Sequence, residues 1–375
     1  MRHYYATLHN RKNEGYRKTV RFNPLRRAWR SIRRVARLLR WGGTALSCAA
    51  GIQRSARRLL IIYDFSSQPF SIGDILIFQE ASLVLRERHG LGKVDFALVY
   101  DPASPVVPDP AFRNVDTESF LVHLSSALPA AQVNPHLGSV FLFDSHRQLE
   151  RHIVDNHDKY FVWPRLGQYA SREYLFYHCF DDMFREHFEQ HGFLPVLGSR
   201  PAASAWAREF LAKYVGSAVP VTIQLRRNLA NPARNSDIAV WIAFFQYCVS
   251  EYDAKFIIIC GRNEIDERLH GLSNVIVAKD HGTGIEQDLA LIEAAALHMG
   301  MASGPGTMAH FGRKPYCMFK WDLKLGSLTN IIREDYRYRF QFSTSLQNWI
   351  FENETEDLLK VEFQRIWNGR PPVSA

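Results

Sequence analysis

The chain has 375 residues and a mass of 43.2 kDa, room for two or three domains at roughly 100–200 residues each. With 46% hydrophobic and 22% charged residues it can bury a large core, which excludes a mainly disordered chain. The net charge of +8 is concentrated rather than spread: residues 1–58 hold 16 Lys and Arg against Glu14 alone, leaving 30 basic and 37 acidic side chains from residue 59 onward, a body that is a poor nucleic-acid binder.

The basic arm has a pattern. Pro24 suits a helix start, and Leu25, Trp29, Ile32, Ala36 and Leu39 recur every three to four residues. Arg26, Arg27, Arg30, Arg33, Arg34, Arg37 and Arg40 fill most positions between them. Such a stripe over residues 24–40 fits an anionic membrane surface, with stems on acyl chains and guanidinium groups at headgroups. A solvated tail, a helix docked on the acidic body and phosphate tracking are the alternatives. Residues 41–52 are apolar or small, but the run is shorter than the about 18 residues of a spanning helix, and the basic region before it is too long for a secretory signal. Five cysteines, at 48, 179, 248, 260 and 317, form no CxxC, which points away from disulfides and structural zinc and towards a reducing compartment.

From residue 59 the chain reads as α/β. Leu59 to Tyr63 is a short apolar run without alternation, the mark of a strand buried on both faces. A loop leads to a helical pattern from Asp74 to Arg88, and Val94 to Tyr100 is the next strand. Residues 101–110 carry four prolines and read as a loop; Val140 to Phe143 is a short strand, 171–191 an aromatic helix, and 192–201 a turn-rich linker. A helix over 205–214 precedes a second pass of strands and helices: strand 219–225, helix 237–252 with Ser236 as N-cap, strands 256–260 and 275–277, helix 288–298, a short strand 299–302, and a last strand 316–319. A helical tail is expected after about 340.

Three constellations carry chemistry. Gly73-Asp74 sits at a strand-to-helix junction, where the strand ends of an α/β sheet form a ligand crevice; Asp74 there either takes a proton from a hydroxyl or merely caps the helix. Arg226-Arg227-Asn228 ends a buried strand, and adjacent arginines there are costly unless they meet anions such as a diphosphate, or an internal acid. Ser303-Gly304-Pro305-Gly306-Thr307 lies between strand and helix, so its N–H groups and hydroxyls can cradle an anion, or it is a tight turn only. It matches neither GxGxxG nor a Walker loop. His310 follows, suited to packing or support. Asp288 reads as a helix-start residue, and Glu293 either reaches a sugar hydroxyl or is solvated. The histidines at 152, 157, 178, 187 and 191 form no HExxH, so no metal is expected.

Together these segments resemble the GT-B glycosyltransferases, with local similarity to the lipopolysaccharide heptosyltransferase superfamily over about 59–100 and 219–320. The resemblance rests on Gly73-Asp74, on the strand ending at Gly261 with Glu264 nearby, and on Asp288-Leu289 followed by Ser303-Gly304-Pro305-Gly306-Thr307 and His310. Where that family places a lysine after the first strand of the second domain, this chain has Arg226 and Arg227, similar to the arginines of GDP-fucose-type fucosyltransferases. The resemblance implies two Rossmann-like domains facing each other across a cleft: an arm over 1–58, an acceptor domain over 59–198, a donor domain over 199–340 and a tail over 341–375.

It further implies transfer of a sugar from a GDP-, UDP- or ADP-sugar to a glycan or lipid-linked acceptor, with inversion, no cofactor and no metal, in cell-envelope synthesis on the cytoplasmic face of a membrane. The lack of a DxD motif between strands agrees with that expectation. Asp74 is the expected base; Gly73, Arg226, Arg227, Asn228, Gly261, Glu264, Asp288, Glu293, Ser303, Gly304, Pro305, Gly306, Thr307 and His310 are the expected donor and substrate contacts. A nucleotide-sugar 2-epimerase of the same fold and a non-enzymatic scaffold are the rival readings.

Overall fold

The structure, a computed structural model, describes residues 32, 35, 36, 39, 42, 43, 46, 57–65, 68, 70–101, 117–166, 178–227, 232–320 and 331–370. The first unit runs β1 (Arg58–Asp64), α1 (Ile72–Arg88), β2 (Lys93–Val99), α2 (Thr117–Ala130), β3 (Leu137–Phe143), α3 (His146–Asp155), β4 (Tyr160–Trp163) and α4 (His178–His191). Its strands pair in parallel in the order β3-β2-β1-β4. Leu59 to Tyr63 are wholly buried, because helices cover both faces of a central parallel strand; that is why β1 shows no alternation.

The second unit begins with α5 (Pro201–Tyr214), after the linker 192–200. It continues with β5 (Val219–Gln224), α6 (Ile238–Glu251), β6 (Ala254–Ile259), β7 (Val275–Val277), α7 (Ile285–Ala294), β8 (Leu297–Met301), α8 (Thr307–His310) and β9 (Tyr316–Phe319). Then come β10 (Ile331–Glu334), β11 (Arg337–Phe340), β12 (Gln347–Ile350) and α9 (Glu356–Gly369). The sheet order is β10-β11-β12-β9-β8-β5-β6-β7, with the β10–β11–β12 pairings antiparallel and the rest parallel.

Both units are Rossmann-like. Numbered within each unit, the parallel strands stand in the order 3-2-1-4, extended in the second unit by β9 and then β12. Winding therefore reverses between β1 and β4 and again between β5 and β8, and ligands of such sheets bind beyond the strand ends at those reversals. One apolar core runs from the first sheet through α7, α8 and β9 to Trp349; a second fills the other face of the second sheet. The units join through aromatic contacts: Phe184 of α4 stands edge-on to Phe311 at 5.3 Å and to Phe342 at 6.3 Å between ring centres.

Three local expectations are corrected, and one unassigned stretch is filled. The helix expected over 288–298 starts at Ile285 and stops at Ala294, because Leu297 to Met301 are wholly buried between β5 and β9. Sheet pairing outweighs the helix propensity of the alanine run. The cap of α6 is Asp237, whose carboxylate accepts from the Ala239 and Val240 N–H groups, while the Ser236 hydroxyl accepts from the Arg226 N–H at 2.9 Å. The second unit does not end at 340, nor is the tail helical throughout: β12 lies inside the sheet beside β9. Finally, the stretch between the loop expected over 101–110 and the strand expected from Val140, to which no element is assigned, contains α2.

Candidate functional site

The site is the meeting of the two reversal points. On the first unit, Ser71 caps α1 by accepting from the Asp74 N–H at 3.3 Å. Capping is therefore done by Ser71, and Asp74 occupies the first turn, buried. Deeper in the same helix Asn134 donates to Gln79 at 3.0 Å and to Ser82 at 2.9 Å, a buried polar contact that fixes α1 on the unit.

On the second unit, β5 delivers Arg226 and Arg227 and β8 delivers Ser303 to Thr307. The two loops reach across to each other at a pair of glycines. A side chain on Gly73 would lie 3.1 Å from the Thr307 hydroxyl and 3.3 Å from the Gly304 Cα; one on Gly304 would lie 3.0 Å from the Gly73 nitrogen. A side chain at either position would press the other loop back by a few tenths of an ångström, so glycine suits this close approach. Gly73-Asp74 and Ser303–Thr307, separated by more than 200 residues, are thus one place in space.

Around it the expected residues divide. The Arg226 guanidinium is half-buried, and its Nε has no hydrogen-bond partner. Burial penalises its charge, with the Glu264 carboxylate acting in the opposite sense. Arg227 is exposed. Glu264 is engaged by backbone, accepting from the Gly261 N–H at 2.9 Å and from the Arg227 N–H at 3.2 Å, so it ties the end of β6 to the end of β5. The Ser303 hydroxyl is buried and unpartnered, Gly306 is buried, and Pro305 and Thr307 are partly exposed. Asn228 lies outside the described residues.

Three expected contacts are placed elsewhere. Asp288 is buried in an ion pair with Lys279 at 2.5 Å, where burial raises its pKa against the pull of that lysine. Glu293 accepts from the Ser199 N–H at 2.8 Å and so grips the linker between the units. His310 is packed among Phe311, Phe340, Phe342 and Trp349, with its Nδ1 3.0 Å from the Tyr316 hydroxyl. Burial drops its pKa to about 3, so it is neutral and supports the loop by packing.

Sequence reasoning missed Arg234 and Lys320. Arg234 donates to the Ala302 carbonyl at 2.6 Å, directly before Ser303. Lys320 donates to the Asn235 carbonyl at 2.6 Å and pairs with buried Glu354 at 2.9 Å, which also accepts from the Asp237 N–H. These bonds hold the β5–α6 connection against the β8 loop. The available signal was that Arg234 shares one strand-to-helix connection with Arg226 and Arg227. Chemically, the second unit offers guanidinium groups, hydroxyls and loop N–H groups for an anion, and the first offers Asp74, next in sequence to the glycine that meets that loop. Among the described residues no group of three or more His, Cys, Asp or Glu could hold a metal.

No protein-family model matches the chain, and no curated protein matches it. Among solved structures the chain is similar to the glycosyl transferase family 9 protein from Veillonella parvula, at 11% identity over 84% of this chain and 90% of that one, with a TM-score of 0.49. It is similar to E. coli ADP-heptose lps heptosyltransferase II at 12% identity over 83% of this chain and 99% of that one, also with a TM-score of 0.49. It is similar to NodZ α-1,6-fucosyltransferase co-crystallized with GDP at 11% identity over 71% and 96% of the two chains, with a TM-score of 0.30.

Proposed function

We propose that this chain is a glycosyltransferase that moves a sugar from a nucleotide-sugar donor to a hydroxyl of a cell-envelope glycan or lipid-linked acceptor. The observation that carries the reading is the contact of the two reversal points, which sets the Gly73-Asp74 turn against an anion-receiving loop. The donor diphosphate lies on the second unit, met by Arg226, Arg227, the Ser303 and Thr307 hydroxyls and the loop N–H groups. The acceptor lies on the first unit. Asp74 takes the proton of the acceptor hydroxyl as its oxygen attacks the anomeric carbon. The bond from that carbon to the diphosphate breaks, and the nucleoside diphosphate leaves with the electron pair, its charge held by the guanidinium groups. One direct displacement inverts the anomeric centre.

Calorimetric titration with UDP, GDP, CMP, ADP and dTDP, with and without Mg²⁺, tests the donor side. One nucleotide is expected to bind at micromolar level. A hydrogen bond to a charged group contributes about 1.5–3 kcal/mol, so Arg226→Ala is expected to weaken that binding roughly 10–100-fold. Binding of none of the five would remove the donor site and leave a scaffold role.

The arm supplies the location in this reading. Ile32, Val35, Ala36, Leu39 and Leu46 are helical, and the large apolar ones among them are exposed. Their spacing puts them along one helix stripe. The remainder of the 24–40 segment lies outside the described residues, and no described helix is long and apolar enough to cross a membrane. The stripe rests on an anionic cytoplasmic membrane surface and holds the enzyme near its acceptor. The full chain is expected to sediment with vesicles of phosphatidylcholine and phosphatidylglycerol, less so in high salt. An Ile32→Glu, Leu39→Glu double variant is expected to stay in solution; equal sedimentation of both would end the assignment.

A further inference from the structure

Outside the site described above, one cluster of titratable groups stands on the same edge of the first sheet. Asp64 is the last residue of β1, Asp101 lies two residues beyond β2, and His146 opens α3 directly after β3. The His146 ring lies between the two acids: Nε2 is 2.8 Å from the Asp64 Oδ2, and Nδ1 is 2.8 Å from the Asp101 Oδ2. The His146 N–H also points to the Asp101 Oδ2, at 3.3 Å. All three side chains are largely buried, Asp64 the most deeply. Only the imidazolium carries a proton on both ring nitrogens, so only that form donates to both carboxylates at once.

We propose that His146 is a positioning residue, a protonated bridge that joins the ends of β1, β2 and β3 into one wall of the cleft. Naming that wall the acceptor side rests on the transferase reading; the bridge itself does not. Three backbone bonds lie along the wall and report on it: Phe65 N–H to Val99 at 3.0 Å, Gln68 N–H to Asp64 at 2.8 Å, and Tyr100 N–H to Phe143 at 2.9 Å. Asp64 from β1 and Asp101 from the loop after β2 are the ionisable groups set against the ring among the described residues. Burial draws the His146 pKa down, but the carboxylates outweigh it, Asp64 first, and the net direction is upward. A histidine whose pKa is raised by folding stabilises most below its unfolded value, about 6.5, and that contribution is lost as pH rises through the folded value. The wall is therefore held most firmly below about pH 6.5 and loosens as pH rises through the folded value.

Melting curves of the wild type, His146→Gln and Asp101→Asn from mildly acidic to alkaline pH test this. Below about pH 6.5 His146→Gln is expected to melt about 2–4 °C below the wild type, with the gap closing as pH rises. Asp101→Asn removes one of the two carboxylates and so weakens the histidine's hold on its proton; its gap is expected to be smaller than that of His146→Gln and to close over the same rise in pH. Amide exchange at Phe65, Gln68 and Tyr100 is expected to quicken in His146→Gln at mildly acidic pH, while the nucleotide that binds the wild type binds the variant within about twofold, since it lies on the other unit. A gap that stays constant with pH, or unchanged exchange at these three amides, overturns the bridge. If no nucleotide binds even the wild type, the transferase reading falls, while melting and exchange still decide the bridge.

Discussion

A Gly300→Ala chain is expected to melt far below the wild type or to fail to accumulate as soluble protein. Gly300 lies in the middle of β8, paired with Gln224 on β5 and with Met318 on β9. Its φ of +136° is a backbone region that L side chains rarely adopt. A Cβ there would press on the Gln224 carbonyl oxygen and lie 2.6 Å from its nitrogen and 2.8 Å from its carbonyl carbon. None of these is the yielding end of a side chain; the central strand would have to move. Backbone strain of about 1–3 kcal/mol and overpacking of about 1–3 kcal/mol add to roughly 2–6 kcal/mol, a large share of the 5–15 kcal/mol that holds a typical domain. The same position is the reversal point of the second sheet, so any shift there also moves Arg226, two residues beyond Gln224. Circular dichroism melts decide the matter: a midpoint within two or three degrees of the wild type, flagged by the size scaling of about 2–4 °C per kcal/mol, would show that β5 yields more easily than its burial allows.

The elements legible in the sequence are those whose signal is local. β1, β5 and β6 are apolar runs bounded by Gly or charged residues, and they are strands because both their faces are covered. The helical period of α1 and α6 came from Ile75, Phe78 and Leu85 and from Trp241, Phe244, Phe245 and Cys248, all buried. The less legible elements depend on partners. β12 is four residues long and is a strand because it pairs with β9 on one side and β11 on the other. The β10–β11 hairpin turns at Asp335, whose φ of 60° an aspartate tolerates, a turn chemistry weaker than Asn-Gly.

The candidate site was legible as two loops but not as one. Gly73-Asp74 and Ser303-Gly304 could be picked out because strand-to-helix junctions rich in glycine bind ligands in such sheets. Their contact is a property of how the units dock, which no local pattern encodes. The same limit explains Glu293 and His310. A glutamate on a helix reads identically whether it faces a sugar or the Ser199 N–H. A histidine after a glycine loop gives no sign of the four aromatic side chains that enclose it. The Asp64–His146–Asp101 bridge joins residues 82 and 45 positions apart and leaves no trace in spacing.

Asp74→Asn is expected to remove sugar transfer while leaving the fold and donor binding in place. The exchange keeps size and shape, and α1 keeps its cap, because the Ser71 hydroxyl accepts from the backbone N–H of residue 74 and not from its side chain. What is lost is a carboxylate able to take a proton. A positioned general base contributes about 10²–10⁴-fold, so transfer is expected to fall by that factor. The contrast with Arg226→Ala separates the two halves of the site: the arginine variant loses nucleotide affinity, and the aspartate variant keeps it. The assay is release of nucleoside diphosphate from the sugar form of the nucleotide that binds, with envelope extract as the acceptor source and calorimetry on the same samples. Transfer by Asp74→Asn within a few fold of the wild type would take the proton away from Asp74 and require another base. Loss of nucleotide affinity by Asp74→Asn would instead place its carboxylate in the donor's binding and make its presence at the Gly73–Gly304 contact a matter of assembling the cleft.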